Sequence, residues 1–354
     1  MGRSRSNQAV GLTIEPGRIA AAQVSVNGRI VVQDGARADL APGIVRDGEV
    51  ADGEALAEAL RDLWREHRDL DRRVRIGVAN ARIVVRTLYL PPIESAKELA
   101  TAVRFQAKDE IPMPLENAVL DFHAVGIVDT PEGPRQRIVL VAAREDMVTD
   151  MLTAARAAGL KPVGIDLSAF GMIRALPTTH GDDSGPELFV SVGGLTNLAI
   201  ADGDICGFTR VAGSGLESLA VELAERRELT LEHARMWLHH VGLEEDLETI
   251  QGDPKIVADA RAVLAAGARR IAGEVRGSLD FHQGQANGAA AVERIVLTGP
   301  AVAVAGFGAA LEAEIGLEVQ ERVIAGAEGR DLDRLDAACF TVPAGLAVEQ
   351  RLAA

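Results

Sequence analysis

The sequence predicts an α/β protein made of two similar halves, with a smaller α/β unit inserted into the first. Three observations carry this expectation. The first is a strand–turn–strand–turn–strand layout at Val10–Val32, punctuated by Pro16-Gly17 and Asn27-Gly28. The second is the same layout at Leu188–Leu216, with Gly193-Gly194 and Asp202-Gly203 at the corresponding turns. Asn-Gly and Asp-Gly are strong hairpin signals because both central residues of such a turn take positive φ. The third is a strand, helix, strand, strand, helix run over Ile83–Leu160 that follows neither hairpin. An internal duplication accounts for the first two, and an insertion for the third.

The remaining elements follow in order. Asp52–Leu70 reads as a helix, with Leu56, Leu60, Leu63 and Trp64 on one face. Val74–Ala79 is a strand, and Ile83–Leu90 another, ended by Pro91-Pro92. Ser95 with Glu98 three residues on forms a capping box. The helix it starts buries Leu99, Val103 and Ala107 and ends at Pro112 and Pro114. Val119–Val128 and Arg137–Ala143 are strands joined by a polar turn. Glu145–Ala158 is a helix with Val148, Met151, Leu152 and Ala155 inward and Gly159 as its cap. Val163–Ile165 is a strand, and Ala169–Leu176 a short helix that closes the half.

The stretch His180–Pro186 has linker composition and marks the boundary. After the second hairpin come helices at Leu216–Arg226, Leu231–His240 and Pro254–Asn287, the last with a stripe of Leu264, Ala268, Ile271, Val275 and Leu279. Ile295–Leu297 is a strand, followed by a helix carrying Phe307, Leu311 and Ile315. Leu317–Val319 is a short strand. Leu335–Leu352 is expected to be helical in two pieces around Pro343. The expected domains are therefore 9–80 with 161–180, the insert 81–160, and 186–350 with a helical part at about 214–290.

Composition narrows the function. With 354 residues there is room for two cores, and 47% hydrophobic residues is ordinary for a globular protein. A net charge of −15 argues against nucleic acid as a partner. Cys206 and Cys339 are too few for a disulfide framework or a metal cluster, which fits a reducing compartment. Neither an apolar run long enough to cross a membrane nor a signal peptide is read; MGRSRSNQ reads as a short polar tail.

Two halves that each open with such a hairpin unit resemble the actin-like, ribonuclease H-like ATPase fold. The insert narrows the resemblance to FtsA and to the type IV pilus assembly protein PilM family. ELATAVRFQAKDEIPMPLENAVLDFHAVG (Glu98–Gly126) is very similar to the PilM pattern of an amphipathic helix, an IP-x-P-L-E turn and a V-L-D strand. The segments Val139–Leu176 and Val275–Gln285 also look like PilM, and the resemblance covers roughly residues 9–350.

In such proteins nucleotide lies between the halves, so the resemblance implies a phosphate turn in each. In the first turn, Gly11-Leu12-Thr13-Ile14-Glu15-Pro16 puts Thr13 where the family has its metal-associated Asp, and Glu15-Pro16 where it has Gly-Ser. Proline offers no N–H, and a glutamate repels a phosphate. In the second, Ser191 stands where an Asp is expected; Thr196 and Asn197 remain. Arg235 and Leu238 align with the usual Glu and Lys of the adenosine helix. The last motif is Leu297-Thr298-Gly299-Pro300-Ala301. Any residual nucleotide binding would fall on Gly17, Gly193, Gly194, Thr196, Asn197, Gly215 and Gly299. Phosphoryl chemistry needs a carboxylate on magnesium, so neither a catalytic residue nor a metal site is expected. No cofactor is expected either: ATP with magnesium would have to use degenerate motifs.

The resemblance implies an adaptor that binds the cytoplasmic N-terminal peptide of a PilN-like membrane protein and other pilus assembly proteins. It would be cytoplasmic and held at the inner face of the membrane through that partner. A groove at the insert would draw on Val85, Leu88, Leu99, Val103, Arg104 and Leu120. The alternative kept open is an actin-like ATPase that binds nucleotide and assembles into filaments or switches with ATP. Single residues read more plainly. His239-His240 is a surface pair, Cys206 and Cys339 are core, and Asp166 caps the helix Ala169–Leu176.

Overall fold

The computed structural model describes residues 9–131, 133–177, 185–285 and 291–349. The linker read at 180–186 falls largely outside these, as does the polar tail. The chain opens with an antiparallel meander of β1 (Val10–Glu15), β2 (Arg18–Asn27) and β3 (Arg29–Asp39). A small hairpin of β4 (Val45–Arg46) and β5 (Glu49–Val50) follows. Its Asp47-Gly48 turn takes positive φ, but two-residue strands are too short to show a period. Then come α1 (Gly53–Glu66) and β6 (Arg73–Val78). The insert supplies β7 (Val84–Leu90), α2 (Ala96–Glu110), β8 (Ala118–Thr130), β9 (Gly133–Arg144) and α3 (Glu145–Ala157). β10 (Lys161–Leu167) and α4 (Ser168–Ala175) return to the first half.

The second half repeats the plan. β11 (Glu187–Val192), β12 (Thr196–Asp202) and β13 (Ile205–Ala212) form its meander. After them come α5 (Leu216–Arg227), α6 (Leu231–Val241), α7 (Pro254–Gln285), β14 (Arg294–Thr298), α8 (Phe307–Ile315), β15 (Glu318–Glu321), β16 (Ala325–Gly326) and α9 (Arg334–Ala347). The first sheet runs β10-β6-β1-β2-β3-β16 and the second β13-β12-β11-β14-β15. In each, two strands add in parallel beyond the first strand of the meander: β6 and β10 in one, β14 and β15 in the other. The duplication expected from the turn signals is thus repeated in strand order.

Local signals account for most element ends. Asp52 caps α1 through Ala55 N–H, and Ser95 caps α2 through Glu98 N–H. Leu56, Leu60, Leu63 and Trp64 are buried as their spacing predicts, and so are Leu99, Val103 and Ala107. Gly159 closes α3 at φ +77.

Four expectations are corrected. In α3 the inward residues are Met147, Met151, Ala154 and Ala155; Val148 and Leu152 are only half-buried. Met151, Ala154 and Ala155 join the first half's core beside α1 rather than a core of the insert. Asp166 does not cap α4; its carboxylate accepts Leu167 N–H and pairs with Arg174. β16 pairs with β3, so the chain returns to the first sheet after its second half.

The fourth correction is the largest. The last segment is one helix, α9, with Pro343 inside it. Every residue from Ala337 to Ala347 is buried. On one side α9 packs on α4, β1 and β2; on the other it meets the turn at Pro300–Ala303 that follows β14. Phe340 and Leu346 share a cluster with Phe189 and Val296 of the second sheet. Proline costs a helix one internal hydrogen bond, and enclosure on all sides holds this one together. The crossing with α4 depends on glycine: a Cβ on Gly345 would overlap the Gly171 carbonyl oxygen. Gly345→Ala is therefore expected to destabilise the protein by roughly 3 kcal/mol, since backbone must shift to admit the methyl. Urea unfolding measures it; an unchanged midpoint would contradict the close crossing.

Candidate functional site

The turn between β1 and β2 faces the turn between β11 and β12 across the junction of the halves. Between them lies a cleft lined by Thr13, Glu15, Gly17, Arg18, Ser191, Gly193, Gly194, Glu217, Arg235, His239 and Gly299, among others. Side chains fill most of it. The remaining cavity is about 50 Å³, where clefts for small-molecule ligands run from roughly 300 Å³ upward.

The filling is specific. Gly194 N–H donates to Glu15 Oε2 at 3.1 Å. A Cβ on Gly193 would sit 2.5 Å from the same oxygen, and one on Gly194 would overlap the Pro16 carbonyl. The two turns therefore touch backbone to backbone. Burial raises the Glu15 carboxyl above its ordinary value of 4.5, against the Gly194 hydrogen bond and the Arg18 charge, which lower it. Next along the cleft, Arg235 donates Nε to Glu217 Oε2 at 2.9 Å and Nη2 to Glu217 Oε1 at 2.6 Å. The same guanidinium crosses to the first half, to the Leu40 carbonyl at 3.3 Å and Asp39 Oδ2 at 3.2 Å. Arg18 Nη1 donates to Cys339 Sγ at 3.4 Å, which ties the β2 start to α9. His239 closes the far end near Ala303. Burial, then the charge of Arg18, lower its pKa below 6.5.

The residues singled out for nucleotide divide into three groups. Gly17, Gly193, Gly194 and Gly299 line the cleft. Gly215 packs behind it, close to the Gly193 and Gly194 carbonyls. Thr196 and Asn197 are not part of it: Thr196 Oγ1 is spent on the Ser214 carbonyl at 2.7 Å, and Asn197 faces a separate hollow with Asn80 and Arg210. Thr13 Oγ1 donates to the Ala20 carbonyl within its own hairpin at 3.4 Å. His239-His240 is not a surface pair. His239 lines the cleft, while His240 is exposed and bonds the Gln251 carbonyl at 2.8 Å. Among the described residues no three of His, Cys, Asp and Glu gather as a metal shell. In the turns as built the Gly194 donor is taken, Pro16 has none, and Glu15 and Glu217 line the same cleft.

Glu217 and Asp39 were not singled out from the sequence, and Glu15 only as a defect. Their partners lie far along the chain, so spacing carries no sign of them.

The insert offers a second surface. Its sheet runs β7-β9-β8, and α2 covers one face. Leu88, Leu99 and Val103 are buried between helix and sheet, so they form the insert's own core. Leu120 is half-buried at the edge of that core, and Arg104 is exposed on the outer side of α2. Val85 points the other way and joins the cluster shared with the first half. Around that shared cluster Val125, Val141, Val148, Ile165 and Phe170 stay partly exposed. β8 and β10 are each the last strand of their sheet. At this junction α3 lies against both β8 and β10.

Duplicated halves with the same strand order, meeting across their hairpin turns, define an actin-like protein. The insert and the sequence itself narrow the class. The chain belongs to the family described as type IV pilus assembly protein PilM, whose pattern matches residues 11–350. A solved PilM-PilN type IV pilus biogenesis complex holds a chain that is 26% identical. The match covers 96% of this chain and 97% of that one, with a TM-score of 0.78. The ethanolamine utilization protein EutJ from Carboxydothermus hydrogenoformans is 15% identical, over 98% and 91% of the two chains, at TM-score 0.54. MreB5 of Spiroplasma citri, solved with ADP, is 12% identical over 96% and 95%, at TM-score 0.50. These last two share the fold. Among the described residues no helix is long and apolar enough to cross a membrane.

Two outcomes are expected from the cleft. Breaking a largely enclosed pair strands its partner, so Arg235→Met should cost roughly 3 kcal/mol, and a double variant with Glu217→Leu should recover most of it. Denaturant titration of the cycle checks this. Glu15 gives a pH signature. Its folded pKa is raised, so its contribution is fully present below 4.5 and is lost as pH rises through the folded value. Glu15→Gln removes that loss. The melting temperature of the variant should exceed that of the parent by a margin that grows upward from pH 4.5; a constant margin would contradict the buried carboxyl.

Proposed function

We propose that this protein is an adaptor of type IV pilus assembly that holds the cytoplasmic N-terminal peptide of a PilN-like membrane protein and does not hydrolyse ATP. The observation that carries the reading is the match over nearly the whole length of both chains to a chain of a PilM-PilN complex. We place the peptide at the junction of insert and first half. Partly exposed Val125, Val141, Val148, Ile165 and Phe170 supply apolar anchors. The edges of β8 and β10 supply unpaired backbone groups for an extended segment. Val85 belongs to the cluster at this junction, while Leu88, Leu99 and Val103 are in the insert's own core.

The cleft supports the second part of the proposal. With Glu15 on the second turn and Arg235 bridging the halves, a nucleotide would have to displace internal partners before it could bind. A partner embedded in the membrane would hold the adaptor at the inner face of the bilayer.

Binding of a labelled PilN-like N-terminal peptide tests the first part. Val141→Asp and Phe170→Ala should each weaken it by about tenfold or more, because an anchor pocket is lost or charged. Arg104→Glu, on the outer side of α2, should leave it unchanged; the reverse ranking would move the site to α2. Labelled ATP with magnesium tests the second. No saturation is expected up to about 1 mM, and micromolar affinity would overturn it.

A further inference from the structure

We propose that Glu15 is a built-in ligand of the Gly193-Gly194 turn, holding the two halves closed in the place where a bound ligand would otherwise bridge them. The inference deepens the nucleotide-independent part of the proposed function and rests on it.

Four observations converge. The contact crosses the molecule: Glu15 ends β1 in the first sheet, and Gly194 lies in the β11–β12 turn of the second. The oxygen is seated rather than merely near. Gly194 N–H points at it from 3.1 Å, and Gly193 has no Cβ because one would meet it at 2.5 Å. Pro16 fixes the approach, since its carbonyl lies against Gly194 where any side chain would collide. Both glycine amides of the turn are engaged, because Gly193 N–H is already bonded to the Leu195 carbonyl at 2.9 Å.

The neighbours are arranged to keep the carboxyl in place. Arg18 is the nearest cation and is tethered to Asp39 and Cys339. Glu217 and Arg235 neutralise one another alongside. The strap from Arg235 to Leu40 and Asp39 fastens the same two halves from the other side of the turn. The result is a two-point closure made wholly of this chain's own groups. The halves also meet along α9 and where α4 and β7 lie against β12 and β13; at the turns, such a closure holds their relative angle without an outside ligand. A carboxyl oxygen and an amide oxygen both accept an N–H, so Gln can replace Glu in this role and Ala cannot.

Hydrogen exchange at the Gly194 amide reads the contact directly, in the full chain without nucleotide. The parent and Glu15→Gln should protect that amide equally. Glu15→Ala should speed its exchange by about tenfold or more, since the donor loses its partner and opening is no longer opposed. Spin labels on E66C and E225C, both exposed and on opposite halves, read the closure. Cys206 and Cys339 are buried and stay unlabelled. The parent and Glu15→Gln should give one narrow distance, and Glu15→Ala a longer or broader one. If Glu15→Ala keeps the parent's exchange rate and distance, with a native circular dichroism spectrum, the inference fails and the adaptor reading stands. If Glu15→Ala does not fold, Glu15→Gln decides: loss of Gly194 protection overturns the ligand role, and retention supports it. If the parent binds labelled ATP with magnesium while Gly194 behaves as described, the nucleotide-independent reading fails, and Glu15 remains a closure that ATP can displace.

Discussion

Helix α9 is the constraint on which the two halves depend. It is buried from Ala337 to Ala347 and lies where both sheets need a partner for their inner faces. Its composition follows from that position. A helix enclosed on all sides has no polar face, and this one uses Ala, Gly and Val so that backbones can approach. Gly11, Gly171 and Gly345 mark the places where the approach is too close for any Cβ. With α9 in place, the ends of β1 and β11 are brought face to face, and the chemistry of their turns decides what lies between.

What lies there is the protein itself. In an open cleft, backbone N–H groups at two glycine turns would attract an anion. Here Glu15 supplies the oxygen from within, and Glu217, Arg235 and Asp39 satisfy one another nearby. The cost of placing a carboxyl there shows in its raised pKa. The hydrogen bond and the nearby arginine offset that cost only in part.

The insert follows a different logic. A single helix on a three-stranded sheet can cover one face only. α2 takes that face with Leu99, Val103 and Ala107. The other face has to be covered by the first half, and the cover is incomplete. Val125, Val141, Val148, Ile165 and Phe170 stay partly exposed there. Helix α3 shows the same division, with Met147 in the shared cluster and Met151, Ala154 and Ala155 in the first half's core.

The sequence by itself determined the elements, the duplication and the family. Asn27-Gly28 and Asp202-Gly203 placed the hairpins, Asp52 and Ser95 the helix starts, and Leu99, Val103 and Ala107 a buried stripe, because each of these depends on neighbours a few residues away. Thr13, Glu15-Pro16 and Ser191 are likewise visible in the sequence at the two turns. Only the tertiary structure decided what Glu15 does, that Arg235 reaches Asp39, that His239 faces inward, and that Leu88, Leu99 and Val103 are interior to the insert. It alone decided that Pro343 sits within one helix between two sheets. Each of these rests on partners distant along the chain, in the other half or, for Leu88, Leu99 and Val103, elsewhere in the insert. Local spacing fixes which face of an element is apolar, but not which distant surface it meets.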